Sequence, residues 1–538
     1  MSVARVNLIS LKGCTVRIRL GADWGVYIAM NTKLDTLKNR TAPIEMAPDD
    51  FRALGHQLVD SLADWLAKMP RGLVTRDESV ADIRRVLKSE RGLPDVGEGA
   101  AQVLREAANL LFEHSLFNGH PRFFGYITSS PAPLGALGDF LAAMINQNVG
   151  AFRLSPLATE IEAQTVRWIA ELIGYPTNCG GFLVSGGNMA NFVCFLAARA
   201  AKATWDVRTK GLAEQPRLLT YASTETHTWL QKAADMFGLG SDAIRWIPVD
   251  VGQRMNLDVL ESQIDRDLAL GDFPFLVVGT AGSVSTGAVD PLPELAAICR
   301  ARKLWFHVDG AYGALAAQVP GAPESLRALN EADSVAVDPH KWLYTPLEAG
   351  CVLVRRRDDL LRAFSYHPAY YHFDETAINY FDQGPQNSRG FRALKVWLAL
   401  RQVGRTGAIG MIADDMRLSQ HLDALIRSHS EFEAFTQQLS VTTFRYVPSE
   451  LKPQIGSPAV EKRIDEINQA LLTRAEKSGE AFLSNAVVNG KFALRACIVN
   501  FRTSLVDIEA LPALLSRLGE DVCRESVLGA GIGPALRT

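Results

Sequence analysis

Short apolar runs that alternate with helix-like stretches constrain the fold of this chain more than any other feature. Seven such runs lie between residues 181 and 354, and each is a continuous stretch of mostly apolar residues. Continuous runs of this length are typical of strands buried on both faces, as in a parallel or mixed sheet. Their alternation with helices predicts an α/β layered domain. The predicted strands are Gly181–Val184, Leu218–Ala222, Ala243–Pro248, Phe275–Thr280, Leu304–Asp309, Ser334–Asp338 and Cys351–Val354.

Two consecutive predicted strands end close to reactive side chains. The run Leu304–Val308 is followed by Asp309, and Lys341 follows shortly after the run Ser334–Val337. Because ligands in open α/β sheets sit outside the carboxyl ends of the strands, we expect this carboxylate and this amine to share a site. Enzymes that use pyridoxal 5'-phosphate (PLP) need that pair, a lysine for the Schiff base and a carboxylate that keeps the pyridine nitrogen protonated. Taken singly, the aspartate fits a helix cap and the lysine a surface residue, so the prediction depends on their pairing.

Three further features lie at or just after predicted strands. The turn Ser185–Asn191 opens the apolar helix Phe192–Ala200, so its free backbone N–H groups can hold a phosphate. The turn matches neither a Walker loop nor G-x-G-x-x-G, and a plain strand–helix turn is equally consistent with it. His227 follows a strand where an imidazole can stack on a pyridine ring and orient a substrate carboxylate, or can serve only as a cap. Thr280 can hydrogen-bond ring substituents or be a simple turn residue.

The composition argues against several classes of function. A net charge of −3 gives no electrostatic case for nucleic acid or an anionic membrane as partner. No apolar stretch reaches the roughly 18 residues that span a bilayer. Seven cysteines are scattered without a C-x-x-C pair, and the N-terminus lacks an export pattern, so we expect a cytoplasmic protein with free thiols. Zinc-ligand spacing and the G-x-S-x-G elbow are missing, which leaves metal-dependent decarboxylation and serine hydrolysis unsupported.

The pattern of the chain changes along its 538 residues, which are too many for one small core. We predict a loosely ordered N-terminal extension (1–45), a helical N-terminal domain (46–125), a large PLP-binding α/β domain (126–430) and a small α+β C-terminal domain (431–538). Residues 356–388 are interpreted as a long functional loop or as a loop with short helices. The C-terminal domain is predicted from the strand Ser440–Tyr446, the helix Ala459–Ser478, the strands Phe482–Asn489 and Phe492–Asn500 and the helix Ile508–Arg517.

The residues around Lys341 resemble a known family. The segment Ser334–Arg355 fits the lysine signature of the group II PLP-dependent amino-acid decarboxylases, the family of the aromatic-L-amino-acid, tyrosine, histidine and glutamate decarboxylases. The resemblance runs from about Met46 to the strand Leu494–Asn500. It implies the aspartate-aminotransferase-like fold (fold type I) with a mostly parallel sheet, the cofactor PLP, and decarboxylation of an L-amino acid to its amine. The matching positions are Ser334, Val335, Lys341, Trp342, Leu343, Leu347, Ala349, Val352 and Arg355.

The resemblance gives the strand-end residues specific roles. Lys341 resembles the Schiff-base lysine, and Asp309 resembles the partner of the pyridinium nitrogen, with Ala311 packed under the ring. His227 resembles the histidine that stacks on the cofactor and contacts the substrate. Perpendicular alignment of the scissile Cα–carboxylate bond to the ring lets its electrons flow into the protonated pyridine system.

Other parts of the predicted site come from segments farther along the chain. Gly187 and Asn188 fall where the family binds the cofactor phosphate, and His340 precedes the lysine as it does in relatives. Tyr126 resembles a residue of the substrate pocket. Two positions depart from the usual pattern: Asn188 replaces Ser or Thr, and Asp338 stands where several relatives carry Asn near the phosphate.

Tyr370 resembles the mobile-loop tyrosine that returns a proton to the substrate carbon, and neighbouring Tyr371 leaves the register open by one residue. Relatives with Phe at this place shift their product towards an aldehyde, so Tyr favours simple decarboxylation. Closure of residues 365–388 would exclude water during the reaction. An aldehyde synthase or transaminase on the same scaffold, and a catalytically silent binding relative, remain alternatives.

The family also implies a homodimer with the active site at the interface, and the segment Asn387–Arg389 resembles one that reaches the other subunit's phosphate site. The expected partner is a small-molecule amino acid, with no nucleic acid and no membrane. An aromatic L-amino acid is the first expectation, on the frequency of such substrates in the family. Glutamate, aspartate and diaminobutyrate stay open.

Overall fold

The structure of the chain, a computed structural model, describes residues 9–11, 14–16, 36–40, 42–366 and 377–530. The described strands are β1 (Ile9–Leu11), β2 (Cys14–Val16), β3 (Gly180–Val184), β4 (Leu218–Ser223), β5 (Ile244–Ile247), β6 (Phe273–Thr280), β7 (Trp305–Asp309), β8 (Ser334–Val337), β9 (Gly350–Val354), β10 (Phe432–Gln438), β11 (Val441–Tyr446), β12 (Ser484–Val488) and β13 (Lys491–Cys497).

The described α-helices are α1 (Pro48–Lys68), α2 (Val80–Leu87), α3 (Ala100–His114), α4 (Pro133–Ile145), α5 (Pro156–Leu172), α6 (Gly187–Lys202), α7 (Val207–Lys210), α8 (Trp229–Met236), α9 (Leu257–Ala269), α10 (Leu292–Arg302), α11 (Pro339–Trp342), α12 (Arg357–Phe364), α13 (Ala393–Ser428), α14 (Pro458–Ser478) and α15 (Leu505–Ala530). None of the described helices is long and apolar enough to cross a membrane.

One sheet contains all seven strands predicted between residues 181 and 354, in the order β3-β9-β8-β7-β6-β4-β5. The pairs β4–β5, β4–β6, β6–β7 and β7–β8 are parallel, whereas β9 runs antiparallel to both of its neighbours, β3 and β8. The prediction of a mostly parallel sheet in an α/β domain is therefore confirmed. Because β3, β4, β6, β7 and β8 point the same way, their carboxyl ends lie along one edge.

The continuous apolar runs are explained by two cores, one on each face of this sheet. Within β6, Val277 packs into one core while Leu276 and Val278 pack into the other. Helices α6 and α8 supply the second core, and α10 and part of α13 supply the first. A strand buried on both faces has no solvent side, so its sequence shows no polar alternation.

A second sheet, antiparallel throughout, lies near the C-terminus in the order β10-β11-β13-β12. Its apolar face packs on α14, α15 and the last turns of α13 through side chains such as Phe444, Leu471 and Leu515. The predicted strands and the first helix of this region are present with small shifts of their ends, whereas the last helix, predicted as Ile508–Arg517, continues to Ala530. Strand β10 was missed, because its sequence Phe-Glu-Ala-Phe-Thr-Gln-Gln has no clear period and every one of its residues is only half-buried.

The chain divides into two compact units, one of Met1–Ala67 with Leu93–Asn109 and one of Lys68–Gly92 with Leu110–Thr538. In the first unit, α1 begins at Pro48 with Asp49 and Asp50 in its first turn, where negative charge stabilises a helix N-terminus. Much of the predicted extension 1–45 lies outside the described residues. The division of the chain into four segments stays a prediction.

Candidate active site

The carboxyl ends of the parallel strands surround a cavity of about 130 Å³. Seven residues singled out from the sequence line it, namely Gly187, Asn188, His227, Thr280, Asp309, Ala311 and Lys341. They come from the ends of different strands and meet because those ends share one edge of the sheet. The lining also includes residues that the sequence did not single out for the site, among them Ile127, Asn191, Glu225, Val284 and Tyr312.

Asp309 is the last residue of β7, and its carboxylate is held by two donors. The indole Nε1–H of Trp229 donates to Oδ2 at 2.8 Å, and the backbone N–H of Ala311 donates to Oδ1 at 3.2 Å. The residue is only 8% exposed. Donors on both oxygens fix the carboxylate in one orientation and stabilise its charged form.

Lys341 lies in the one-turn helix α11, directly after β8. Its Nζ lies 3.2 Å from Oδ2 of Asp338, whose side chain is 2% exposed. The other carboxylate oxygen, Oδ1, is buried and has no hydrogen-bond partner among the described residues. A buried carboxylate with only one partner is costly, because the second oxygen has given up water without a replacement.

Contacts with a buried acid fix the C-terminal end of α11 and the residues that follow it. Trp342 Nε1 and the Tyr344 hydroxyl both donate to Oδ2 of Asp415 in α13, at 2.9 and 2.7 Å. The ring of Trp342 stacks on that of Tyr312, with centroids 4.6 Å apart. Burial raises the pKa of Asp415 to about 7, while its two donors act in the opposite direction. These contacts hold the lysine-bearing turn against the first core of the sheet.

His227 follows β4 and lies on the open side of the cavity. Its Nδ1 accepts a hydrogen bond from the backbone N–H of Trp229 at 3.2 Å, an assignment that leaves the proton of the neutral ring on Nε2. Burial lowers the pKa of the His227 imidazole; the Asp309 carboxylate opposes this effect and the Lys341 ammonium adds to it. A neutral imidazole with Nε2–H as donor is therefore favoured near neutral pH.

Thr280 ends β6 beside a second buried acid. Its backbone N–H donates to Oδ2 of Asp290 at 2.8 Å, and its hydroxyl lies 3.5 Å from that of Thr226. Burial raises the pKa of Asp290 to about 6, against the effect of its backbone donors. Thr280 is thus placed by contacts that sequence patterns do not reveal.

The glycines between β3 and α6 allow a close approach of the backbone to α11. Gly186 has a φ of +83°, which favours glycine. A Cβ on Gly187 would lie 2.6 Å from Oδ2 of Asp338 and 3.3 Å from Cβ of Ala311, so a side chain there would displace the acid. The first turn of α6 therefore presents bare backbone at the cavity, next to Asp338.

Three predicted site residues are placed elsewhere or lie outside the described residues. His340 bonds through Nδ1 to the carbonyl of Ala349 at 2.7 Å and does not line the cavity. Tyr126 does not line it either; its φ is +50°, its side chain is mostly exposed, and its ring lies 5.9 Å from that of Phe482. Tyr370 lies outside the described residues.

Only part of the segment Asn387–Arg389 is free to reach another subunit. The guanidinium of Arg389 is buried in its own chain, where it pairs with Glu162 and donates to the carbonyls of Val149 and Leu183 at 2.8 and 2.7 Å. Asn387 and Ser388 are exposed. A role of the arginine itself in a neighbouring phosphate site is therefore inconsistent with its contacts.

Sequence reasoning missed Trp229, the donor that orients Asp309. The residue stands two positions after His227, but no sequence period predicts that an indole will meet a carboxylate eighty residues away. In the described part of the chain, no group of three or more His, Cys, Asp or Glu side chains is arranged to hold a metal ion.

Comparisons with known proteins agree on one family. The model described as the pyridoxal-dependent decarboxylase conserved domain matches residues 84–447. The aromatic-L-amino-acid decarboxylase of Bacillus atrophaeus is 32% identical over 484 residues, which cover 89% of this chain and 97% of that protein. Among solved structures, mouse CSAD in its apo form has a TM-score of 0.83 at 27% identity, covering 88% of this chain and 99% of that one. Oryza sativa TDC with PLP and tryptamine has a TM-score of 0.82 at 25% identity, covering 90% and 99%.

The residues of the cavity fit PLP, the cofactor that these proteins imply. The cavity offers a primary amine, a buried carboxylate with both oxygens oriented, and a helix N-terminus without side chains in the way. The unpartnered Oδ1 of Asp338 marks a place where a further polar group can be bound.

Proposed function

This chain belongs to the pyridoxal-dependent decarboxylase family and is a PLP-dependent amino-acid decarboxylase, and we propose that its substrate is an aromatic L-amino acid. The proposal is supported by the relative from Bacillus atrophaeus, which acts on aromatic L-amino acids, and by Oryza sativa TDC, which binds tryptamine. The cavity adds apolar contacts from Ile127, Val284 and Tyr312 that suit a ring-bearing side chain.

The observation that carries the catalytic assignment is the presence of Lys341 and Asp309 in one cavity, at the ends of adjacent strands. In this proposal Lys341 is the residue that binds the cofactor covalently, and Asp309 holds the proton on the pyridine nitrogen. The two donors on Asp309 keep its charge in place, which is the condition for that proton to stay. When bound, PLP supplies an electron sink for the bond between Cα and the carboxylate.

The remaining cavity residues bind and orient. Backbone N–H groups of Gly187 and Asn188 at the start of α6 would bind the cofactor phosphate, and Ala311 would pack against its ring. His227, neutral and with Nε2–H available, would contact the ring and orient the substrate carboxylate. Thr280 is proposed to hydrogen-bond a ring substituent.

The other predicted residues have more remote roles in this proposal. His340 supports the site through its contact with Asp338, at 3.9 Å between Nε2 and Oδ2. Tyr126 is proposed as a rim residue of the substrate entrance, because its ring is exposed. Tyr370 is proposed to donate the proton that Cα needs after CO₂ has left, and closure of its segment would exclude water.

A homodimer is proposed on the character of α4. Its glycine face, Gly135 and Gly138, is buried close to Pro346 and to Leu398 of α13. Its other face exposes five large apolar side chains, Leu137, Phe140, Leu141, Met144 and Ile145, each at least half exposed. A patch of this kind on a globular enzyme marks an interface, and a second copy of the chain is the expected occupant. Cytoplasmic location is proposed from the cysteines that form no disulfide among the described residues, which include Cys179, Cys194, Cys299, Cys351 and Cys497.

The test is an absorbance spectrum of the purified protein with PLP, followed by a screen for CO₂ release over the common amino acids, DOPA and diaminobutyrate. We expect a yellow protein that releases CO₂ from one or two aromatic substrates without consuming oxygen or a keto acid. Release of CO₂ only from glutamate, aspartate or diaminobutyrate would overturn the aromatic assignment. Oxygen consumption with aldehyde and ammonia as products would instead identify an aldehyde synthase.

A further inference from the structure

We propose that Asp338 couples cofactor binding to the uptake of one proton: its carboxyl group is ionised while it pairs with Lys341 in the cofactor-free protein, and it is protonated once the cofactor phosphate lies at the start of α6. This inference rests on the proposed roles of Lys341 and of the Gly187 turn. It concerns a residue whose charge the decarboxylation chemistry itself does not use.

The first observation is the asymmetry of the Asp338 carboxylate. Oδ2 lies 3.2 Å from Lys341 Nζ, while the buried Oδ1 has no partner among the described residues. The titratable groups that face this acid are Lys341 and His340 of its own short helix, His227 from the loop after β4, and Cys351 of β9. Lysine is the nearest cation to it, so the ionised form depends on that amine.

The second observation is the distance between Asp338 and the first turn of α6. The 2.6 Å between its Oδ2 and the place of a Gly187 Cβ means that the acid touches the backbone that would hold a phosphate. A phosphate bound there meets a carboxylate in a space with little water. The negative charges of the phosphate and of the Asp338 carboxylate cannot both persist at low cost at such a distance. The pair that they form therefore takes up a proton.

Cofactor binding also removes the partner that keeps Asp338 charged. The Lys341 nitrogen forms a C=N bond to the aldehyde carbon of PLP, and the aldehyde oxygen leaves as water. The Lys341 nitrogen is then bonded to the cofactor, and Asp338 faces the phosphate with an oxygen that has no hydrogen-bond donor. A proton on Oδ2, the oxygen that lies beside the Gly187 turn, converts it from an acceptor into a donor that can bond to a phosphate oxygen.

Asparagine at this position would provide a donor without a proton, which makes Asp338→Asn the informative variant. We expect the wild-type affinity for PLP to fall more steeply with rising pH than that of D338N. At pH 8 the variant should bind PLP about tenfold more tightly, because its amide donates to the phosphate without the proton that the wild type must first take up.

The decisive experiment is calorimetric titration of cofactor-free protein with PLP at one pH in two buffers that differ in ionisation enthalpy. The wild type should take up about one proton more than D338N per PLP bound. Glu225→Gln is the matched control, because Glu225 is a carboxylate that lines the same cavity; its proton uptake should equal that of the wild type. With pyridoxal, which lacks the phosphate, the difference between wild type and D338N should disappear.

Equal proton uptake by wild type and D338N would overturn the inference while leaving the cofactor assignment intact. A protein that stays colourless and binds no PLP would instead overturn the proposed function. If D338N does not fold, the wild type alone decides: PLP affinity that falls with pH no more steeply than pyridoxal affinity, after allowance for the ionisation of free PLP, excludes the coupling.

Discussion

The ends of β7 and β8 carry two buried aspartates that differ in how their oxygens are satisfied. Asp309 receives one donor on each oxygen, from an indole and from a backbone amide that cannot change their charge. Asp338 is even less exposed, at 1%, yet the groups nearest to its Oδ2 are the titratable Lys341 and His340, and its Oδ1 has no partner among the described residues. Deep burial therefore does not imply equal function: the contacts of Asp309 are fixed, whereas those of Asp338 depend on what else is bound.

The largest expected effect comes from Lys341→Ala, which removes the partner of Asp338 and the amine that binds the cofactor. We expect CO₂ release to fall by about 10⁴-fold or more and the visible absorbance of the bound cofactor to be lost. Lys232→Ala, on the exposed surface of α8, is the control and should keep both. Substantial turnover in the Lys341 variant would remove this lysine from the mechanism.

The contrast between the two acids is tested directly by Asp309→Asn beside D338N. The introduced amide would keep an oxygen for the Trp229 indole but lose the charge, so turnover of D309N should fall by about a hundredfold or more while the protein stays yellow. D338N should lose far less, because it retains the polar contact that the site needs. If both variants lose turnover equally, the distinction between a permanent and a conditional charge is wrong.

Tyr370→Phe tests a proton that neither aspartate can supply. We expect the amine yield to fall about tenfold or more and, under oxygen, aldehyde and ammonia to rise. Tyr371→Phe is the matched control for the register of this segment. An unchanged product ratio in the Tyr370 variant, with a changed one in the Tyr371 variant, would transfer the role to the neighbour.

Trp229→Phe makes Asp309 resemble Asp338 by leaving one of its oxygens without a partner. The lost charge-assisted hydrogen bond should lower the free energy of unfolding by about 2–3 kcal/mol and turnover by about tenfold. Trp305→Phe is the control, since this indole lies in the same core but donates to the neutral Ser334 hydroxyl at 2.8 Å. Chemical denaturation measures the free energy of unfolding of both variants, and CO₂ release measures their turnover. Equal losses of turnover in the two variants would contradict the proposed role of the Trp229 indole.

Asp415 offers the most pH-dependent effect. Burial raises its folded-state pKa to about 7, so its contribution to stability is present below the unfolded value near 3.8 and is lost as the pH rises through 7. Relative to the wild type, Asp415→Asn should therefore gain roughly 3–4 kcal/mol in unfolding free energy between pH 4 and pH 8. Denaturant titrations at pH 4 and pH 8 measure the difference in unfolding free energy between the variant and the wild type. A difference that is the same at both pH values would mean that Asp415 does not titrate between them.

The sequence predicted the large sheet well because its strands are apolar on both faces, and such runs resemble nothing else of their length. It also predicted that Asp309 and Lys341 would meet, since both follow strands of one parallel sheet. It did not predict Trp229 or Asp415, because a hydrogen bond between distant positions leaves no local pattern. Strand β10 was missed for a related reason: half-buried edge residues are free to be polar.

The antiparallel strand β9 also determines when the site can form during synthesis. Strand β3 leaves the ribosome early, but its only partner among the described strands is β9, which follows Lys341 in the chain. Until β9 is made, β3 is an unpaired strand, and the Gly187 turn is held beside Asp338 only by the packing of α6 on the face of the sheet. A nascent chain that ends before Gly350 therefore has both halves of the site but lacks the strand that connects β3 to β8.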